Sequence, residues 1–576
     1  MAQATGWIRF MHRWHARRAA RVAVPIPFVT TPEPRTIGSV TRGKELVAGT
    51  FLFSGHFVQG PTLSIWDVPG TNEAVEEEVQ GCLWLDDLAA LGTEAARQRA
   101  YLWISDWIDR YGKGRGPGWT PDLTGRRLTR WINHALFVLR GQDQERIETF
   151  HQSLAAQTAF LARRWSLAPT GLPRFEAMAG LIHASLALEN MARHAEPALE
   201  ALAADCANSV TPDAAVSSRN PEELLDILTL LNATVDTLSE ANKDIPQDIL
   251  DAIARIAPVI RALRHADGNL ARFHGGGRGR EGQLDAALAG SRIKTLPGPS
   301  LQMGYLRLNG GRTTLIADAA APPSGPASAN AHASTLAFEL TSGRRPVVVN
   351  CGSGRRFGPD WRRASRATPS HSTLGIEGKS SSHLGQASRK TDHQDRLSDV
   401  PSRVHFSTTE ADGMRRAELS HDGYRADFGL THARILKLSV DGRTLEGEDL
   451  LATLDADDED RFDQTIARAG QSGLPFTIRF HLHPDVEAIH NTPKDQIEIE
   501  LKSGENWIFQ HDGTAAMTLV PSVYLEIERL KPRQSQQVVL SWRAMSYATR
   551  IRWSLAKAAD TPDVMRDVTD LADVTE

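Results

Sequence analysis

The chain has 576 residues, 41% of them apolar and 23% charged, with a formal net charge of -5. That length calls for two or three domains rather than one core, and the small charge gives no electrostatic case for a nucleic-acid partner. Cys82, Cys206 and Cys351 lie too far apart for a disulfide framework or a four-cysteine metal site, so reduced thiols are expected.

From Met1 to Val24, seven Arg or His residues are interleaved with aromatic and small ones. The segment lacks the continuous apolar core of an export signal, and no run of about 18 apolar residues suits a membrane span. A solvated arm or short docked helix is expected, with peripheral contact to an anionic membrane surface as the alternative.

Between Cys82 and Gly112, Leu83, Leu85, Leu88 and Leu91, then Tyr101, Ile104, Trp107 and Ile108, recur at helical spacing. Arg126–Val138, Ile147–Trp165 and Leu172–Leu188 repeat the pattern. Asn220 is placed to cap a helix that Pro221 opens, with Glu223 closing a capping box. Asp248–Leu263 carries a broad apolar stripe. An all-helical domain follows from this run. The glycine-rich stretch Gly275–Gly282 has no apolar strand before it and no Lys-Ser/Thr pair after it, so it reads as a connector rather than a phosphate loop.

The period changes after Met303. A hairpin is expected around Gly310-Gly311, then strands at Ser334–Leu340, Pro346–Asn350, Ser372–Ile376, Gly423–Phe428 and Ala433–Val440. Further strands are expected at Phe476–Leu482, Gln496–Leu501, Trp507–Gln510, Gln537–Trp542 and Thr549–Leu555. Gly385–Pro401 has no apolar pattern and reads as a long exposed loop. The expected fold class is α+β multidomain: a basic arm (1–50), a helical domain (51–280), a linker (281–300) and an antiparallel β-sandwich or supersandwich (301–570).

The β-rich region carries Asn330-Ala331-His332-Ala333-Ser334, Val347-Val348-Val349-Asn350-Cys351-Gly352 and Arg366-Ala367-Thr368-Pro369-Ser370-His371-Ser372-Thr373-Leu374. Their order resembles the C-terminal domain of the heparinase II/III family, polysaccharide lyases acting on acidic glycans. The resemblance implies an (α/α) toroid for the helical half. It also implies β-elimination on uronic-acid residues, with an acidic polysaccharide or oligosaccharide as partner. His332, Asn350 and His371 fall where zinc-bearing relatives hold a structural zinc, but Asn350 replaces the carboxylate, so a hydrogen-bonded cluster is the leading expectation and a bound zinc the weaker alternative. Asn330 and Ser334 also depart from the family's pattern, and no tyrosine lies between Tyr111 and Tyr305 where relatives supply one.

Candidate catalytic residues are therefore His332, Asn330, His183, Glu176 and Arg174, with Glu176 and His183 seven apart on one helix face. Arg219, His265 and Trp119 are candidates for substrate binding, an arginine for a uronate and a tryptophan for a sugar ring. In the run 330–334 the polar residues alternate with alanine, so an extended backbone would present all three on one face. His481 and His483, with Asp485, would likewise share a strand face. The leading expectation is a polysaccharide lyase; the alternative is a carbohydrate-binding or cell-envelope scaffold protein that has lost the chemistry. The missing export signal favours a cytoplasmic location, with the envelope or periplasm as the alternative.

Overall fold

The computed structural model describes residues 2–29, 33, 36–68, 73–211, 213–385, 395–469, 472–526, 529 and 531–558. Helices α1 (Ala2–Val22) and α2 (Val40–Val47) precede a small hairpin, β1 (Thr50–Phe53) with β2 (His56–Gln59). Next come α3 (Glu73–Gln80), α4 (Trp84–Leu91), α5 (Glu94–Tyr111), α6 (Pro121–Asn133) and α7 (Ala135–Leu139). The helical domain continues through α8 (Gln144–Arg164), α9 (Leu172–Ala187), α10 (Ala195–Ser209), α11 (Pro221–Glu240), α12 (Gln247–Ala262) and α13 (Gln283–Ser291).

Its core is aromatic. Trp84 meets Trp103 edge-on at 5.3 Å, and Trp107 meets Trp131 in the same way at 5.3 Å. The buried Arg127 guanidinium lies 4.1 Å over Trp107 and donates to Gln157 Oε1 at 2.7 Å, so its charge is both stacked and hydrogen-bonded. Helices α6 and α9 touch through backbone. A Cβ on Gly180 would sit 2.5 Å from Gly125 Cα, so neither helix could carry a larger residue at the crossing. As expected, Asn220 caps α11, its Oδ1 accepting from the Glu222 N–H at 2.9 Å. Helix α13 falls within the expected linker and packs on α11 and α12.

The β-rich half begins with β3 (Tyr305–Gly310), β4 (Thr313–Asp318), β5 (Phe338–Ser342) and β6 (Arg345–Val349), then α14 (Pro359–Arg366) and β7 (Leu374–Ile376). A two-stranded pair, β8 (His383–Leu384) with β9 (Leu397–Ser398), ties down the ends of the expected loop Gly385–Pro401, of which 386–394 lie outside the described residues. The chain goes on through β10 (Val404–Ala411), β11 (Met414–Tyr424), α15 (Arg425–Phe428), β12 (Leu430–Ser439), β13 (Thr444–Ala452) and α16 (Ala456–Arg468). Last come β14 (Leu474–Leu482), β15 (Val486–Asn491), β16 (Gln496–Leu501), β17 (Asn506–His511), β18 (Ala516–Tyr524), β19 (Arg533–Ala544) and β20 (Ala548–Lys557).

One antiparallel sheet runs β10-β11-β12-β13-β20-β17-β16-β15; the other runs β18-β19-β14-β6-β5-β4-β3, with β7 also on β14. A single apolar core drawn from both, including Leu436, Leu438, Leu340 and Phe480, packs them face to face as a sandwich. Trp553 fills its centre, stacked on Phe338 at 5.9 Å and edge-on to Phe480 at 4.6 Å. Gly447 opposite leaves it room, since a Cβ there would meet the indole at 2.0 Å. The other face of β4, β5 and β6 turns toward the helical domain, where Arg219 reaches Asp318 and His265 reaches Glu339.

Candidate interdomain site

Residues 330–337 are not a strand; β5 starts only at Phe338. Leu336 takes a φ of +63° and the Ala337 N–H donates to the Ser334 carbonyl, so the run turns instead of extending. The three polar residues therefore separate. Asn330 Oδ1 receives Arg362 of α14 at 3.4 Å, while Ser334 Oγ donates to Asp318 Oδ2 at 2.8 Å. His332 is buried and its Nδ1 lies 3.0 Å from His371 Nε2.

The tautomers follow from the partners. His371 Nδ1 faces the Ala367 carbonyl at 2.9 Å, which can only accept, so that nitrogen carries the proton. His371 Nε2 is then the acceptor and His332 Nδ1–H the donor. The His332 backbone N–H donates to His274 Nδ1 at 3.2 Å, which leaves the His274 proton on Nε2, 3.4 Å from Asp318 Oδ2. Asp318 also takes Arg219 at 2.7 Å, and Arg219 donates to the carbonyls of Met303, Gly304, Ala320 and Ala321. A row of neutral histidines thus runs from His371 through His332 and His274 to one buried ion pair.

Burial sets the charge states. It pushes His371 down to about 4, opposed only in part by the Ala367 carbonyl. His332 lies well below the ordinary histidine range through burial first, then His371 and His274. For Asp318 burial acts the other way, but Arg219 and His274 overcome it and hold the carboxyl well below the usual range.

A second row runs beside the first. Glu339 Oε2 accepts from the Arg272 N–H at 3.1 Å and lies 3.1 Å from His265 Nε2; Asn350 Nδ2 approaches its other oxygen at 3.5 Å. Asn350 Oδ1 takes the Ser372 N–H at 3.0 Å. The third position of the set is an amide whose oxygen is already bonded to backbone, so His332, Asn350 and His371 do not fit a zinc. Among the described residues no group of three His, Cys, Asp or Glu side chains is arranged to hold a metal ion.

The other candidates are dispersed. Arg174 pairs with Asp205 at 2.6 Å, and His183 Nδ1 lies 3.2 Å from Thr237 Oγ1. Glu176 pairs with Arg126 at 2.7 Å across the α6–α9 crossing, and burial raises its carboxyl to about 7 against the pull of Arg126. The partners named here are separate for each of the three. Trp119, expected to face a sugar, is buried at 2% exposure with its Nε1 donating to the Tyr111 carbonyl at 2.9 Å. It is a core residue. His265 and Arg219 are also buried and spent on interdomain bonds. His481 Nε2 lies 2.9 Å from the Pro369 carbonyl, and His483 turns to Asp485, so the two strand histidines have separate partners.

Sequence reasoning missed Asp318 and Glu339, the two carboxylates that organise both rows. Each sits in a fully buried strand, Asp318 closing β4 and Glu339 second in β5, and a carboxylate there requires a buried partner.

The comparisons agree with this architecture. The heparinase II/III-like C-terminal family matches residues 296–554. The chain is 28% identical to the FtsZ-localized protein C of Caulobacter vibrioides (strain NA1000 / CB15N) over 548 residues, 93% of this chain and 92% of that one. Among solved structures, heparinase III superposes with a TM-score of 0.68 at 15% identity, over 94% of this chain and 88% of that one. The heparan sulfate lyase HepC of Pedobacter heparinus gives 0.54 at 13% identity, over 95% and 88%. Residues 296–554 therefore match the heparinase II/III-like C-terminal family, and the chain has the fold of heparinase III along nearly its whole length.

Proposed function

We propose that this chain is a non-catalytic scaffold of the cell envelope that acts at the division site, held on an anionic membrane surface by α1. The observation that carries the loss of chemistry is the buried histidine row. Elimination needs a base matched to the working pH and a donor for the uronate carboxylate. His332 is a poor base when its conjugate acid lies so far below neutrality, and Asn330, which cannot serve as a base, is engaged by Arg362. The full-length likeness to a relative named for its localisation with FtsZ supports the division-site role.

Helix α1 supports the membrane role. His12, Ala16 and Ala19 form its docked stripe, packed on α8, with Arg164 Nε donating to His12 Nδ1 at 3.1 Å. Roughly opposite, Trp7 and Phe10 stack at 5.6 Å and Trp14 continues the stripe, with Trp7 63% exposed. Arg9, Arg13, Arg17, Arg18 and Arg21 flank these aromatics. A docked helix that keeps an aromatic face in water among arginines suits the interface of an anionic bilayer. Among the described residues no helix is long and apolar enough to cross one.

The test has two arms. Incubation with uronate-containing glycans should give no rise in the ultraviolet absorbance of the unsaturated product. Sedimentation should carry the protein down with phosphatidylglycerol vesicles but not with phosphatidylcholine vesicles. Turnover, or indifference to lipid charge, would count against the reading.

One observation favours a second reading, a uronate lyase with displaced machinery. Glu176 titrates near neutrality beside Arg126, a pairing of proton carrier and carboxylate binder. In that case turnover would be measurable and Glu176→Gln would abolish it.

A further inference from the structure

We propose that β10 is a self-association edge, at which two copies of this chain join antiparallel across a two-fold axis at Phe406. β10 ends its sheet, so one side of the strand has no neighbouring strand. The other sheet ends are covered or blunted: β3 packs on β12, β15 meets β18, and β18 carries Pro521. β10 has no proline, lysine or bulge in its length, and every residue but Val404 is exposed. Such an edge is a template for another strand.

The free hydrogen-bonding groups can be assigned from the turn. Asp412 and Gly413, at φ of +52° and +73°, make a two-residue turn that closes on the bonded pair Ala411–Met414. Bonding alternates along an antiparallel pair, so Ala411, Thr409, Ser407 and His405 bond to β11. The Asp422 N–H donating to the Arg403 carbonyl keeps the same phase at the far end. Glu410, Thr408, Phe406 and Val404 therefore aim their N–H and C=O groups away from the sheet.

Side chains choose the occupant and the register. Phe406 lies opposite Leu419, a core residue, yet is 42% exposed, so the strand runs past the cover of the second sheet. A two-fold axis normal to the sheet keeps every residue on its own face, so only registers centred on a residue are allowed. Centring on Phe406 sets it against the partner's Phe406, and Val404 against the partner's Thr408. Aromatic and β-branched pairs of this kind favour a seam. Glu410, the one carboxylate in the strand, falls outside these pairs and is held by Arg415 of its own hairpin at 3.1 Å. A second copy fits because it brings the same free edge and the same uncovered ring. The inference uses neither α1 nor the lost elimination chemistry, so it stands apart from the scaffold reading.

Sedimentation equilibrium of the full chain without lipid tests it. A reversible dimer is expected, its dissociation constant raised at least tenfold by Phe406→Lys, which sets two like charges together on the axis. Thermal melting of the dilute variant checks that it folds. Phe406→Cys should crosslink two copies on oxidation with copper phenanthroline, whereas Glu410→Cys, far from the axis, should not. The native Cys82, Cys206 and Cys351 are buried and do not compete. A chain that stays monomeric, a dimer indifferent to Phe406→Lys, or crosslinking through Glu410→Cys and not through Phe406→Cys would overturn the proposal.

Discussion

The interdomain histidine row and helix α1 are both rich in histidine, arginine or aromatic residues, yet they use them in opposite ways. In the two rows each of these polar groups has a buried partner: Arg219 with Asp318, His265 with Glu339, His332 with His371. Helix α1 buries one stripe and leaves Trp7, Phe10 and Trp14 in water. A region whose polar groups are already spent holds the domains together and has little left for a substrate. A region with exposed aromatic area among arginines still has interactions to make. The position of reactive-looking residues is thus a weaker guide to function than whether their hydrogen bonds are already taken.

The largest effect should come from breaking the row at its ion pair. Arg219→Ala leaves Asp318 buried without its guanidinium and frees four carbonyls, so a loss of about 4 kcal/mol is expected in urea unfolding. An unchanged midpoint would remove the brace from the comparison.

Acid should act on the same region. His371 titrates near 4 when folded and near 6.5 when unfolded, so the unfolded chain binds more protons in between. Its contribution to stability is full above about pH 6.5 and is lost as pH falls toward 4, by about 3 kcal/mol. His332 adds in the same direction. Melting followed from pH 7 to pH 4 should show the fall, and His371→Gln should flatten it.

The third prediction sharpens the other side. Replacing Trp7 and Trp14 together by alanine should lower affinity for phosphatidylglycerol vesicles at least tenfold, about 1.4 kcal/mol. Stability should move by less than about 0.5 kcal/mol, because neither side chain is in the docked stripe. A large stability loss would mean that the aromatics serve the fold.

The smallest effect is expected at Glu176. Its carboxyl is held near 7 by burial, so it is protonated below that pH and Glu176→Gln changes little there. Above pH 7 the carboxyl ionises in the folded chain against its burial, a charge the unfolded chain carries without that cost, so the wild type loses stability that the neutral variant keeps. Relative to wild type the variant should gain about 1 kcal/mol between pH 6.5 and pH 8.5, read from urea midpoints at the two pH values.

Much of the fold was legible from residue pattern. The helix caps and apolar periods anticipated α5, α8, α9, α11 and α12 to within a few residues, and alternation found β14, β16 and β20. Other elements escaped. The hairpin β1–β2 turns at Ser54-Gly55 but has strands of only four residues each, too short for a clear alternation, and the alanine-rich α10 offers little apolar contrast.

The candidate site was legible by residue name but not by role. The sequence, through its resemblance to the family, placed His332, Asn350 and His371 together, and by itself it set Arg219 just before a capped helix and made the N-terminus basic and aromatic. Only the tertiary structure decided that Trp119 is core and that Asp318 and Glu339 organise the interface. It also decided that residues 330–337 turn rather than extend, because the Leu336 backbone and the Ser334–Ala337 bond override alternation. The reason is physical: periodicity reports which side of an element a residue occupies, whereas hydrogen-bond partners and desolvation come from segments about a hundred residues away or more, as for Arg219 with Asp318 and Arg164 with His12.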